Sequence, residues 1–199
     1  MSRTATKSRR TSGPYAVCLI VVTLAIIGAL IYQSMSSVDI LRGDHGGPAT
    51  EADGVLPDDV TVFDGGYPGL AKLDPDLRQA LREASRDAAD DGVEIYVNSG
   101  WRSAKYQDQL LREAVSKYGS EEEAARRVST ADKSPHVAGE AVDLGHSAAT
   151  AWLSKHGAGY GLCQIYRNEP WHYELHPDAP TKGCPKMYTD PSQDPRMQS

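Results

Sequence analysis

Two short polar segments constrain the fold most, because their side chains can serve a common site only if the chain brings them together. In the first, His136 and Asp143 are seven residues apart, with a glycine between them that lets the chain turn so that both face one point. In the second, Glu169 precedes His172 by three residues, and Pro170 favours an extended backbone at Glu169. If the fold brings the two segments close together in space, two imidazoles and two carboxylates lie at one site.

This set of side chains is typical of a zinc site. Two histidines and one acid suit Zn²⁺, and three protein ligands leave a fourth position for water, as in catalytic rather than structural zinc sites. We therefore expect His136, Asp143 and His172 to bind the metal, with Glu169 as a nearby base. Taken singly, each residue has a more ordinary interpretation as a surface group, a hydrogen-bonded core group or part of a turn. The combination favours the site.

The N-terminal region has the composition of a membrane anchor. Ala16 to Tyr32 form an uncharged apolar run, slightly shorter than the ~20 residues of a full span and longer than a usual signal-peptide core. Basic residues precede the run and none follows until Arg42, which places the N-terminus in the cytoplasm. We expect a cytoplasmic basic tail over 1–14, a single-pass transmembrane signal-anchor over 15–32 and an exocytoplasmic remainder in the cell membrane. A cleaved signal peptide is the alternative, because Ser34 and Ser36 resemble a weak processing site.

The rest of the chain divides into a linker, a folded domain and a tail. Residues 33–60 are rich in Ser, Gly, Asp and Pro, so they bury too little apolar surface to offset the cost of ordering, and a flexible linker is predicted. The folded domain then spans 61–188, and 189–199 has the composition of a surface tail. After residue 14 the chain has 17 basic and 27 acidic residues. This negative charge argues against a nucleic-acid partner.

Apolar spacing and capping residues predict the elements of the domain. The predicted helices span about 74–92, 103–118, 120–123 and 147–156, and the predicted strands or short apolar segments span 93–98, 141–144, 162–166 and 171–175. The helices cluster before the strands rather than alternating with them. This order favours an α+β fold, with a small, mostly antiparallel sheet and flanking helices, over a doubly wound parallel fold.

Cys163 and Cys184 form an even pair once Cys18 is assigned to the apolar run. In an oxidising compartment such a pair predicts a disulfide. Two separate buried thiols are the alternative. A soft metal site is less favoured, because neither cysteine has a companion at CxxC spacing.

Longer patterns around these residues resemble those of a known enzyme family. Residues 134–143 are SPHVAGEAVD and residues 169–172 are EPWH. They match the motifs S-x-H-x-x-G-x-A-x-D and E-x-W-H of the zinc D-alanyl-D-alanine carboxypeptidases and dipeptidases, the VanY-type and VanX-type enzymes. Residues 99–103, SGWRS, followed by Gln107, are similar to the family's S-G-Y-R-S segment with Trp for Tyr.

The resemblance implies the same three zinc ligands, with Glu169 as general base and Arg102 as a clamp on the reacting group. It also implies substrate contacts for Ser134 and Gln107. Trp171 is expected to pack either the site wall or the core.

The resemblance further implies a zinc-dependent D,D-carboxypeptidase that removes the terminal D-alanine from peptidoglycan stem peptides, which an exocytoplasmic enzyme would meet. One alternative is a peptidoglycan endopeptidase that cleaves L,D or cross-link bonds, because specificity depends on the pocket rather than on the zinc motif. Another is a non-catalytic binding module, since the fold resembles the signalling domain of Hedgehog proteins. The presence of both Glu169 and Arg102 argues against that module.

Overall fold

The structure is a computed structural model that describes residues 47–198. The predicted basic tail, the predicted transmembrane segment and positions 33–46 of the predicted linker lie outside these residues, as does Cys18. Among residues 47–198, no helix combines the length and the apolar character needed to span a bilayer. From Pro48 onward the chain forms one compact unit.

Eight α-helices and three short 3₁₀-helices occur within residues 47–198. The α-helices are α1 (Pro68–Ala71), α2 (Pro75–Asp90), α3 (Ala104–Tyr118), α4 (Glu121–Ala125), α5 (Pro135–Ala138), α6 (Ser147–His156), α7 (Ala179–Lys182) and α8 (Pro195–Gln198). The 3₁₀-helices are Glu51–Asp53, Gly157–Tyr160 and Pro191–Gln193.

Four strands form one antiparallel sheet in the order β1-β2-β4-β3. The strands are β1 (Tyr96–Ser99), β2 (Ala141–Gly145), β3 (Leu162–Gln164) and β4 (His172–Leu175). The predicted α+β class with a small antiparallel sheet and flanking helices is therefore confirmed. Three observed strands are shorter than predicted, because β1 begins at Tyr96, β3 ends at Gln164 and β4 begins at His172, whereas β2 extends one residue further, to Gly145.

Helix α2 supplies much of the core. The Asp74 side chain caps its start by accepting hydrogen bonds from the backbone N–H groups of Asp76 and Leu77. Its buried face carries the apolar residues that recur at helical spacing: Leu77, Ala80, Leu81, Ala84 and Ala88. These side chains pack in one cluster with residues of the sheet such as Val97 and Leu144. This packing fixes the position of the sheet, whose strands β2 and β4 carry Asp143 and His172.

Part of the predicted linker belongs to the folded unit instead. The Asp53 carboxylate accepts hydrogen bonds from the Thr50 backbone and from the Ser103 hydroxyl, and Val60 is buried and bonded through its carbonyl to the N–H of Val97. Gly54 lies so close to Trp101 that a Cβ there would meet the Trp101 carbonyl oxygen at 2.1 Å. Specific polar pairing, together with burial of Val60 and packing of Leu56 on the core, orders residues 48–60.

The predicted surface tail also packs on the domain. Asp194 is fully buried, and its carboxylate accepts a hydrogen bond from the Tyr166 hydroxyl. Arg196 donates to the carboxylates of both Asp194 and Glu174. The tail prediction was wrong because composition does not reveal these long-range ion pairs.

The predicted disulfide is confirmed. Cys163 and Cys184 are bonded, with their Cα atoms 5.5 Å apart. The bond joins β3 to the segment after α7, and the enclosed loop contains Glu169 and all of β4.

Candidate active site

Three adjacent strands place polar residues in one row across the sheet. Ser99 of β1 is paired with Asp143 of β2, and Asp143 is paired with His172 of β4. Paired residues of neighbouring strands project from the same face of a sheet. The sheet register therefore brings together two of the predicted metal ligands, although they are 29 positions apart in the sequence.

His136 reaches the same point from a single helical turn. It lies in α5, which Pro135 begins and Gly139 ends with a left-handed φ of 80°. A Cβ at Gly139 would meet the Lys72 carbonyl oxygen at 2.5 Å, so both the backbone conformation and the close contact require glycine. This turn carries the chain from α5 into β2 and sets His136 opposite Asp143.

The three side chains form a cluster with the dimensions of a zinc site. Nε2 of His136 and Nδ1 of His172 are 3.3 Å apart, and each lies 3.4 Å from Oδ1 of Asp143. Tetrahedral ligands at zinc bond lengths of about 2.0–2.1 Å would lie about 3.3–3.4 Å from one another. Oδ1 of Asp143 is buried without a hydrogen-bond partner among the described residues. The residues fit a zinc ion.

In each imidazole, the ring nitrogen that faces away from the cluster contacts an oxygen acceptor. Nδ1 of His136 lies 2.8 Å from the Gly100 carbonyl oxygen, and Nε2 of His172 lies 3.2 Å from Oε1 of Glu174. Each of these contacts assigns the proton to the outer nitrogen, which leaves the inner nitrogen to bind a metal. Burial lowers the pKa of His136. The pKa of His172 is raised to about 9, because hydrogen bonds to Asp143 and Glu174 outweigh its burial.

Glu169 lies beside the cluster without joining it. Its Oε2 is 3.9 Å from Nδ1 of His172, and its Oε1 is buried without a hydrogen-bond partner within residues 47–198. Burial raises the pKa of Glu169 to about 7, and the negative charge of Asp143 adds to that effect. A carboxylate with such a pKa can both accept and return a proton near neutral pH.

Arg102 is held in place by three neighbours. Its Nε donates to the Ser99 hydroxyl at 2.8 Å, one terminal nitrogen donates to Oε1 of Gln107 at 3.2 Å, and the other pairs with Oδ2 of Asp143. Its backbone N–H donates to the carbonyl oxygen of His136. These bonds do not exhaust the donors of a guanidinium. A fixed positive charge therefore stands next to the candidate metal ligands.

Two predicted substrate contacts have different surroundings. Gln107 is 1% exposed, and its amide is used by Arg102 and by the Ser129 carbonyl oxygen. These bonds make it a support for Arg102. Ser134 is also buried, and its hydroxyl has no hydrogen-bond partner within residues 47–198. The sequence alone did not distinguish these two environments.

The cluster opens into a cleft of about 400 Å³. Trp171 is 42% exposed and lines this cleft, so it forms a site wall rather than part of the core. Lys117 and Arg127 also line it. In the part of the chain that the structure describes, neither cation has a carboxylate within ion-pair distance. The cleft thus combines a metal-binding cluster with two cationic side chains.

Sequence reasoning missed Glu174, the partner of His172. A signal was present, because residues two apart in a strand share a face, and Glu174 follows His172 by two positions in β4. Arg196, which binds Glu174, had no comparable local signal because 22 residues separate the two.

The sequence profile of the family described as "VanY: D-alanyl-D-alanine carboxypeptidase" matches residues 70–178, more than half of the chain. These residues include every candidate ligand as well as Arg102 and Glu169. The comparison with curated proteins found no match.

Several solved structures are similar to this chain. VanYB in complex with D-alanine-D-alanine is 23% identical, with a TM-score of 0.53 over 68% of this chain and 88% of that one. A mutant vancomycin resistance D,D-pentapeptidase VanY in complex with Zn(II) is 25% identical, with a TM-score of 0.49 over 52% of this chain and 72% of that one. An L,D-carboxypeptidase, DacB from Streptococcus pneumoniae, is 21% identical, with a TM-score of 0.46 over 66% of this chain and 86% of that one.

Proposed function

The chain belongs to the VanY family of D-alanyl-D-alanine carboxypeptidases, and from that premise we propose that it is a zinc-dependent D,D-carboxypeptidase. Its substrate is a peptidoglycan stem peptide, from which it releases the terminal D-alanine. The zinc ligands are His136, Asp143 and His172, and Glu169 is the general base.

One observation carries the proposal. Three ligand atoms with zinc-site spacing share a buried cluster with a carboxylate that stands 3.9 Å from one of them and is not itself a ligand. A structural metal site has no need of such a carboxylate, and a structural zinc is normally enclosed by four protein ligands. The cluster also opens into a cleft that can admit a peptide end. These features favour hydrolysis over a purely structural role.

Glu169 and Arg102 have separate roles in the proposed reaction. Bound zinc lowers the pKa of water to about 7 and polarises a carbonyl group. Glu169 accepts a proton from the attacking water and later donates it to the leaving nitrogen. The guanidinium of Arg102 stabilises the negative charge that develops on the carbonyl oxygen, and its bonds to Ser99 and Gln107 hold it in place before the reaction.

Charge in the cleft supports removal of a terminal residue rather than internal cleavage. A carboxypeptidase binds the free carboxylate at the end of its substrate, and a cation in the cleft can pair with that carboxylate. Lys117 and Arg127 line the cleft and supply such a cation. A cross-link endopeptidase would have less use for these charges, because it binds a peptide that continues past the cleaved bond.

We also propose that the enzyme works outside the cytoplasmic membrane. The basic segment followed by the apolar run of 16–32 supports a single-pass anchor. The disulfide between Cys163 and Cys184 supports an oxidising compartment. Stem peptides are accessible there.

Product analysis tests the proposal. The full chain, loaded with zinc, is incubated with a stem pentapeptide ending in D-Ala-D-Ala, and the products are weighed by mass spectrometry. We expect loss of a single D-alanine. Loss of a dipeptide or an internal cut would instead support an endopeptidase, and zinc binding without turnover would support a binding module. A tetrapeptide that lacks the last D-alanine is the matched control and should remain intact.

A further inference from the structure

The C-terminal segment Pro191–Gln198 lies beyond the part of the chain that matches the family, which ends at residue 178. It nevertheless packs against the site. Asp194 is fully buried, and Met197 lines the same cleft as the candidate ligands. The segment therefore contributes groups that family membership does not account for.

Arg196 connects this segment to the metal cluster through one intermediate residue. Its two terminal nitrogens donate to Glu174, one to Oε2 at 2.7 Å and the other to Oε1 at 3.1 Å. Oε1 of Glu174 in turn accepts from Nε2 of His172 at 3.2 Å. Both oxygens of a 5% exposed carboxylate are thus fixed by one guanidinium.

The guanidinium is itself anchored. It donates to the Asp194 carboxylate through Nε at 3.0 Å and through a terminal nitrogen at 2.6 Å. The Tyr166 hydroxyl donates to the same carboxylate at 2.9 Å, and the Tyr166 ring lies 5.0 Å from that of His172. Glu174, Arg196, Asp194 and Tyr166 thus form a chain of contacts that closes on itself through His172.

The physical consequence concerns the orientation of one imidazole. A metal-binding histidine is held in the correct ring rotation and tautomer by the acceptor on its outer nitrogen. Glu174 can orient the ring only if its own carboxylate is fixed. The planar guanidinium of Arg196 binds both carboxylate oxygens, so it fixes the rotation of the carboxylate as well as its position. Without the guanidinium, Glu174 would be a buried carboxylate without its cation, which is costly enough to drive it toward water.

We infer that Arg196 is a positioning residue for the zinc ligand His172 and acts through Glu174. The inference rests on the proposed zinc function. It assigns a role in the metal site to a segment outside the region that matches the family.

Zinc affinity of the full chain, measured by competition with a chromogenic chelator, tests the inference. We expect R196A to bind zinc about 10- to 100-fold more weakly than the wild type, which is typical when a partner of a metal ligand is lost. R196K keeps the charge without the planar fork and should recover only part of the affinity. In cobalt-loaded protein, the visible spectrum of R196A should shift, because the ligand geometry around the metal changes.

A double-mutant cycle separates action through Glu174 from an independent effect. If the two residues act in series, R196A and E174Q together should weaken zinc binding no more than the stronger single change does. Additive losses would overturn the inference. K182A is the matched control, because Lys182 also pairs with a carboxylate, but its pair with Asp178 is exposed and neither residue lines the cleft. It should bind zinc as the wild type does.

The outcomes distinguish this inference from the proposed function. Wild-type zinc affinity and an unchanged cobalt spectrum in folded R196A would overturn the inference alone, even if thermal unfolding of the metal-free protein were lowered. If R196A does not fold, R196K decides the question by the same affinity measurement. A wild-type chain that binds no zinc would overturn the proposed function and the inference with it.

Discussion

The Glu169 carboxylate lies 3.9 Å from Nδ1 of His172, the ring nitrogen that faces Oδ1 of Asp143. A base in this position can reach a water on the metal without being a ligand. We therefore predict that E169Q keeps near-stoichiometric zinc, measured by atomic emission, while release of D-alanine falls by ~10²-fold or more.

H172A is the contrasting variant, because it removes a ligand rather than the base. It should lose zinc and activity together. If E169Q lost its zinc as well, Glu169 would be a ligand, and if E169Q turned over like the wild type, another group would be the base.

The pH dependence of turnover should reflect the same carboxylate. Burial and the charge of Asp143 raise the pKa of Glu169 to about 7 in the metal-free site, and the positive charge of bound zinc would lower it from there. The base works in its ionised form, so kcat/KM should fall as the pH drops through this pKa, at or below pH 7. Initial rates at saturating zinc between pH 5 and pH 8 measure this limb. A rate that instead rises as the pH drops from 8 to 5 would contradict the assignment.

Zinc binding should release a proton near pH 7. The pKa of His172 is raised to about 9, because Asp143 and Glu174 both stabilise the protonated ring, and the ring is therefore charged before the metal arrives. The metal needs the neutral ring, so it must displace that proton, and affinity should rise with pH until about pH 9. Calorimetry in buffers of different ionisation enthalpy counts the released protons. Equal heats in all buffers would show that none is released.

Arg102 should require its planar geometry as well as its charge. Lysine at this position could keep one contact but could not bind Ser99, Gln107 and Asp143 together. We expect R102K to retain zinc and to lose turnover by ~10²-fold, the usual cost of one donor to a developing oxyanion. R126K is a suitable control, since the Arg126 side chain forms an exposed pair with Glu123. Equal rates for R102K and the wild type would remove Arg102 from the reaction.

The disulfide should change both the number of reactive thiols and the free energy of unfolding. The full chain has three cysteines, so one thiol should react in the unfolded, non-reduced protein and three after reduction. For an enclosed loop of this size, C184S should lower the free energy of unfolding by ~3 kcal/mol in denaturant titrations. Three reactive thiols before reduction would contradict the bond.

The sequence predicted well wherever the signal was local. Helix α2 was predictable because Asp74 caps it and its apolar residues repeat at helical spacing, and the structure buries that face. The candidate ligands could be named in advance because His136 and Asp143 lie in one short motif and Glu169 and His172 in another.

Prediction failed where the determining contact is distant or is made by polar groups. Composition predicts a linker over 33–60, yet the Asp53 carboxylate in that range accepts a hydrogen bond from Ser103, 50 residues away. Composition likewise predicts a surface tail over 189–199, although Arg196 pairs with Glu174. Trp171 could not be placed from its hydrophobicity, because an aromatic residue is equally suited to a core and to the wall of a cleft.

Because Ser99, Asp143 and His172 lie in one row across three strands, zinc binding depends on the correct pairing of those strands. A slip of one residue between β2 and its neighbours would turn Asp143 to the opposite face and separate the ligands. Only the native register offers the ion its complete set of ligands, so zinc selects correctly paired molecules from misaligned ones. Metal content of a refolded preparation thus reports the fraction of chains whose strands are in register.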